Sequence, residues 1–250
     1  MKILAVARFT LLRLWHTRYV LAAAVLCLFI FGVQSLAGRG VDSSLTPANT
    51  VAMYVSWLAA IWLGISLVQA DRQDGTLRST LTRPISLVEV LLGKLLGGLL
   101  YLTLLAAGMT AAVMLGALTD HAPLHWAAAT YQIHLLPVHL TVMALSLLLA
   151  QVAPRFMAGF LMLFARDKWL LEKITELAGK LTAMAGDTLT GLGRILFFLL
   201  PPTSRFYLSY SDFADHSLPA STYLLLLVFS VHYAIAACLL AAWALRRQEL

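Results

Sequence analysis

The sequence predicts an all-α, polytopic membrane protein. Of its 250 residues, 60% are hydrophobic and only 12% are charged, whereas an ordinary soluble domain has about 25% charged residues. The mean hydropathy is +0.83. The apolar runs are long and unbroken, as expected for helices that need about 20 residues to cross a bilayer. A transmembrane barrel would instead show alternating segments of about ten residues.

Six apolar runs are the predicted transmembrane helices of a single domain, residues 1–250. The third run is too long for one perpendicular crossing, so it is expected to tilt or to begin at the membrane surface. Residues 1–18, which are helix-prone and carry scattered arginines, predict an interfacial helix. The six runs are about Tyr19 to Ala37, Thr50 to Ala70, Val88 to Leu118, Ile133 to Ala153, a run near Phe156, and Tyr223 to Leu245.

The fifth run is interrupted early. Phe156 to Ala165 is half a span, and Arg166 and Asp167 follow it directly. The polar stretch beyond has a narrow apolar stripe at helical spacing, which is typical of an amphipathic helix. Residues 166–219 are therefore interpreted as an extracytoplasmic re-entrant or amphipathic region. A buried protein–protein seam is the alternative interpretation.

The net charge of +6 is explained by membrane topology. Basic residues concentrate in segments that the six spans place on one side, whereas the short loops opposite hold only Arg39. By the positive-inside rule, both termini and the loop after the second span are cytoplasmic. No soluble element interleaves basic and aromatic residues, so nucleic acid is not an expected partner. The basic residues are Lys2, Arg8, Arg13, Arg18, Arg72, Arg78, Arg83, Lys94, Arg155, Arg246 and Arg247.

The polar segment 71–86, between the second and third spans, has an unusual internal order. Leu77 and Leu81 are four residues apart, so they share one face of a short helix. Pro84 ends that helix, because proline disfavours helical geometry in the residue before it. Ser86 and Glu89 then have the spacing of a capping box, which starts a new helix. The segment predicts a rigid cytoplasmic elbow, and a loop that only sets topology is the alternative.

Residues for catalysis or cofactor binding are not evident. Gly93-Lys94 is followed by Leu95, and Val88 stands where a phosphate-binding loop has its leading glycine. The chain is therefore not expected to bind ATP or to be an enzyme. No Asp or Glu lies in the middle of a span, which argues against a secondary transporter, since proton- or sodium-coupled carriers usually need such groups.

Four histidines lie near the outer side of the third and fourth spans. His121 and His125 are four residues apart, a spacing that suits a metal on a helix, but Pro123 lies between them. Together with His134 and His139 they are interpreted as polar residues, and no metal site is assigned. Small residues also recur four apart at Gly93 and Gly97 and along the third run. These predict close helix packing, within the chain or at a dimer seam.

The elbow residues resemble those of type-two ABC exporter permeases. They are most similar to the branch of permeases for multi-copper enzyme maturation, which includes nitrous-oxide-reductase maturation. The amino-terminal segment 7–10, the segment 199–206 before the last span and the basic carboxyl terminus 246–250 also resemble that family. The matching elbow residues are Asp71, Gly75, Thr76, Leu77, the run Leu81-Thr82-Arg83-Pro84-Ile85-Ser86, and the run Leu92-Gly93-Lys94-Leu95-Leu96-Gly97.

The resemblance implies a permease in the bacterial inner membrane that works with a separate ATPase dimer and a second permease subunit. The helix 75–83 would be a coupling helix seated in the ATPase, with Arg78 and Arg83 as polar anchors and Leu77 and Leu81 packing it. ATP would bind the partner, and the pathway would suit a lipid-like or amphipathic cargo or would serve only to transmit ATP-driven motion. A membrane anchor without a transport cycle is the alternative function.

Overall fold

The computed structural model describes residues 2–16, 19–37, 46–73, 85–119, 126–152, 213 and 220–249. These residues form long α-helices and no β-strand, which confirms the all-α class for this part of the chain. In chain order the helices are α1 (Lys2–His16), α2 (Tyr19–Ala37), α3 (Thr46–Gln73), α4 (Leu87–Thr119), α5 (Trp126–Val152) and α6 (Ala220–Glu249).

Four of the described helices are long and apolar enough to cross a membrane. They contain the segments Pro47–Gln69, Leu87–Thr119, Thr130–Gln151 and Ser221–Arg247. The axes of α1 and α2 differ by 68°, and the two helices add a fifth crossing only if they form one bent span. The predicted fifth span near Phe156 lies outside the described residues, as does the region 166–219 except for Phe213 and the start of α6.

Helices α3 and α5 lie side by side and run in the same direction. Near one end, the Tyr131 hydroxyl donates a hydrogen bond to Met53 Sδ at 3.0 Å. Further along, a Cβ built on Gly64 would lie only 2.7 Å from Ser146 Cβ and would also collide with the Met143 carbonyl. Only glycine at position 64 permits so close an approach of the two backbones.

Helix α1 packs across the first turns of α4. A Cβ on Gly93 would lie 2.6 Å from Val6 Cβ, and one on Gly97 would lie 2.7 Å from both the Ala7 carbonyl and Thr10 Cβ. Small residues at four-residue spacing allow such contact. The Gly93/Gly97 pair therefore packs within the chain, and the alternative of a dimer seam at this pair is wrong. Outward-facing residues of α1 include Leu4, Phe9 and Trp15.

The bundle has two chemically different ends. Helix α4 runs opposite to α3, while α6 runs with α5, because the Tyr223 hydroxyl donates to the Ile133 carbonyl near the start of both helices. The end that holds α1, the last turns of α3 and the first turns of α4 is named the charged end, and the opposite end the neutral end. Every described Asp, Glu, Lys and Arg is at the charged end: Lys2, Arg8, Arg13, Asp71, Arg72, Glu89, Lys94, Arg246, Arg247 and Glu249.

Candidate functional site

Asp71 is the centre of the charged end. The sequence placed it at the start of a polar loop, but the structure places it in the last turns of α3, which continues to Gln73. Only 7% of the residue is exposed. The apolar helix α3 can continue past Asp71 because two cations from other helices neutralise the charge of the Asp71 carboxylate.

Lys94 is the first of these cations. It lies two turns inside α4, is 6% exposed, and forms an ion pair with Asp71 Oδ2. Its Nζ also donates to the Leu67 carbonyl at 2.5 Å. An unpaired ammonium among apolar helices would be costly, and this contact gives it a second acceptor, one turn before Asp71.

Arg13 of α1 is the second cation. Its Nη1 lies 2.6 Å from Asp71 Oδ1, and 35% of its side chain is exposed. Asp71 therefore receives a cation on each oxygen, from two different helices. We name Arg13, Asp71 and Lys94 the ion-pair node. It joins α1, α3 and α4 at one buried carboxylate, and breaking such a pair from one side costs about 3–5 kcal/mol.

The start of α4 is held by a second set of polar contacts. Ser86 N donates to Glu89 Oε2 at 2.8 Å, Ser86 Oγ donates to the same oxygen at 2.9 Å, and Glu89 N donates to Ser86 Oγ at 3.2 Å. Val90 N donates to the Ser86 carbonyl at 3.1 Å. These are the reciprocal bonds of a capping box. They hold Ser86 as the residue from which α4 begins.

Residues 74–84 therefore connect two anchored points. The node lies immediately before this connector, at the end of α3, and the capping box immediately after it, at the start of α4. The other elbow residues singled out in the sequence lie outside the described residues: Gly75, Thr76, Leu77, Arg78, Leu81, Arg83 and Pro84. Of the residues singled out for the elbow and the helix cap, Asp71, Ser86 and Glu89 have described positions.

Sequence reasoning treated Arg13 and Lys94 as topology signals and missed their pairing with Asp71. A signal was present for Lys94, because a lone lysine inside an apolar run needs a counter-ion. Glu89 is five residues earlier on the same helix, hence about 140° away around the axis. That leaves Asp71 and Asp74 as the nearest acidic residues, and the structure shows Asp71 as the partner. No sequence pattern pointed to Arg13.

Two of the four histidines, His134 and His139, are among the described residues. His134 stacks on Phe213 with ring centroids 5.4 Å apart and lies near Tyr223, whereas His139 is 1% exposed. Five residues apart, they lie about 140° apart around α5. His121 and His125 are outside the described residues. The described part of the chain holds no group of three or more His, Cys, Asp or Glu residues that could bind a metal.

Long apolar helices whose described charges lie at one end define a multi-pass membrane protein. The family follows from the sequence. The profile of the ABC-2 family transporter proteins matches residues 26–250, which is most of the chain. The protein therefore belongs to the ABC-2 family of transporter membrane proteins. No curated protein matches the chain.

Proposed function

We propose that this chain is the membrane-spanning permease subunit of an ATP-binding cassette transporter, driven by ATP hydrolysis on a separate ATPase dimer. Membership of the ABC-2 family supports the permease role. The lack of a phosphate-binding loop in the sequence agrees with an ATP site on another chain. A second permease subunit, identical or not, would complete the transporter, and the chain itself would be no enzyme and carry no cofactor.

The ion-pair node carries the mechanistic part of the proposal. A force applied to the connector 74–84 would reach Asp71 within one helical turn, because Asp71 lies in the last turn of α3. The same carboxylate is bonded to Arg13 and Lys94, so α1 and α4 would move with α3. The three helices would thus move together when an ATPase docked on the connector changes conformation.

The connector itself would supply the docking face. Leu77 and Leu81 would pack a short helix into the ATPase, with Arg78 and Arg83 as polar anchors and Asp71, Gly75 and Thr76 before them. Pro84 would separate this helix from α4, whose start the Ser86–Glu89 capping box fixes. The resemblance of these residues to maturation permeases supports that branch, with an export role and an amphipathic cargo. Both termini would be cytoplasmic in a bacterial inner membrane, consistent with the charged end.

The test is reconstitution with the ATPase encoded beside the gene. The full chain alone should show no ATP hydrolysis, and it should co-purify with the ATPase as a complex. Leu77→Asp places a charge in the proposed docking face, so it should reduce recovery of the ATPase by at least about tenfold, equivalent to 1.4 kcal/mol. Pro84→Ala should keep docking but weaken transport-linked hydrolysis, since the two helices could merge.

Arg72→Gln is the matched control, because Arg72 is exposed in the last turn of α3, beside the connector. It should retain the complex. Hydrolysis by the chain alone would overturn the separate-ATPase proposal. Normal assembly of Leu77→Asp would show that the connector is only a topology signal, and a chain that binds no ATPase would favour a membrane anchor.

A further inference from the structure

Uncharged polar side chains line one buried face of α5. Gln132 is 2% exposed, His139 is 1% exposed and Ser146 is fully buried. They are seven residues apart, so each lies within about 20° of the previous one around the helix, and together they extend over roughly 21 Å. A stripe of this length covers much of an apolar core about 30 Å thick.

This face of α5 meets α3. At Gly64 the backbone of α3 lies against Met143 and Ser146 with no room for a side chain. Towards the neutral end, α3 contributes Asn49, which is fully buried and lies one turn before Met53, the residue that Tyr131 of α5 contacts. The α3–α5 interface therefore includes polar side chains near both ends of the stripe, although each helix is apolar by composition. We name the residues Asn49, Gln132, His139 and Ser146 the polar seam.

Gln132 is the residue that points to a ligand. Among the described residues, neither its Oε1 nor its Nε2 has a hydrogen-bond partner, and Ser146 Oγ has none either. A buried polar group without a partner costs about 1–3 kcal/mol in proteins, and more in hydrocarbon. Leucine would pack at position 132 without this cost, so the retained carboxamide indicates a partner that occupies the seam in another state.

The chemistry of that partner follows from what the seam offers. A carboxamide provides a donor and an acceptor together, as a hydroxyl or amide group requires. No Asp, Glu, Lys or Arg is found in the described residues of the neutral end. A charged group would find no counter-ion among the described residues of this end and would bear the cost of desolvation. The seam therefore suits uncharged hydrogen-bonding groups.

We propose that the polar seam between α3 and α5, headed by Gln132, is a binding path for uncharged hydroxyl or amide groups of the transported molecule, closed here by the contact at Gly64. The assignment of transported cargo to this path rests on the proposed permease function. The polarity and access of the path do not depend on the ATPase, so the two ideas can fail separately.

Thiol access tests the path in the full chain within membrane vesicles. Cys27 and Cys238 are replaced by alanine, and single cysteines are introduced as Gln132→Cys and Ser146→Cys. Ala144→Cys and Val138→Cys are matched controls, because both positions are buried on α5 but lie well off the stripe. The probes are the small neutral methyl methanethiosulfonate and its cationic trimethylammonium-ethyl relative, each with and without the ATPase and ATP.

Both seam cysteines should react with the neutral reagent at least about tenfold faster than their controls, since thiolate forms only where polar partners or water reach the sulfur. The cationic reagent should leave all four positions unmodified. Equal, slow reaction at all positions in a complex that binds the ATPase and hydrolyses ATP would overturn the path. Equal labelling by both reagents would overturn its preference for uncharged groups. Seam labelling in a chain that binds no ATPase would retain the path and reject the permease role.

Discussion

The charged end and the neutral end both bury polar groups, but they do so in opposite ways. At the charged end, Asp71 and Lys94 are 7% and 6% exposed and are bonded to each other and to a third helix. At the neutral end, Gln132 is equally buried, yet its carboxamide has no hydrogen-bond partner in the described part of the chain. Burial alone therefore does not reveal the role of a polar residue; its pairing does.

This difference has a physical reason. A full charge cannot remain unpaired among apolar helices, because its desolvation would cost many kcal/mol, so a buried ion must be satisfied in the resting structure. An unpaired neutral amide costs only about 1–3 kcal/mol, which a stable bundle can tolerate. The ion-pair node is thus suited to holding helices together, and the polar seam is suited to reversible binding of a ligand.

The largest expected effect is at the node. Asp71→Asn would leave Lys94 buried without its anionic partner and release Arg13, so we expect a loss of about 3–5 kcal/mol in stability. Thermal unfolding in detergent, followed by helical circular dichroism, measures it. Arg72→Gln, one residue further on and exposed, should change stability little.

A second substitution separates charge pairing from packing at the node. Lys94→Met combined with Asp71→Asn removes the unpaired ion as well, so the double variant should recover part of the loss, as a double-mutant cycle reveals. If Asp71→Asn is as stable as the parent protein, the buried ion pair does not hold these helices, and the contrast between the two ends fails.

An intermediate effect of opposite sign is expected at the neutral end. Gln132→Leu replaces an unpartnered carboxamide with an apolar side chain of similar size, so the chain should become more stable by about 1–3 kcal/mol. The same unfolding measurement applies, with Leu135→Met as a control at a fully buried apolar position on the same helix. A clear loss of stability would show that the Gln132 amide is paired in the native membrane, and the comparison would then need revision.

The smallest effect concerns the capping box at the start of α4. Ser86→Ala removes the hydroxyl that accepts from Glu89 N, so we expect a loss of about 1 kcal/mol. Ser86→Thr should restore most of it, since threonine also caps helices. Amide hydrogen exchange in the first turn of α4 reports the change. Faster exchange in both variants alike would indicate that the hydroxyl bond does not hold this helix end.

The described part of the fold was largely predictable from local patterns. Apolar runs predicted four of the helices that can cross a membrane, because any backbone in hydrocarbon must satisfy its own hydrogen bonds. The Ser86–Glu89 spacing predicted where α4 begins, since capping depends on residues close together in sequence. Helix ends were less accurate: α3 begins at Thr46 and includes Asp71, and α5 begins at Trp126.

Composition and periodicity alone determined that the described part of this protein is helical and membrane-embedded. Only the tertiary structure decided which charges meet, because Arg13, Asp71 and Lys94 are distant in sequence and lie on three separate helices. It likewise decided that Gly93 and Gly97 contact α1, and that the Gln132 carboxamide is buried with no hydrogen-bond partner among the described residues. Local preferences depend on neighbouring residues, whereas pairing across helices depends on how their faces are brought together in space.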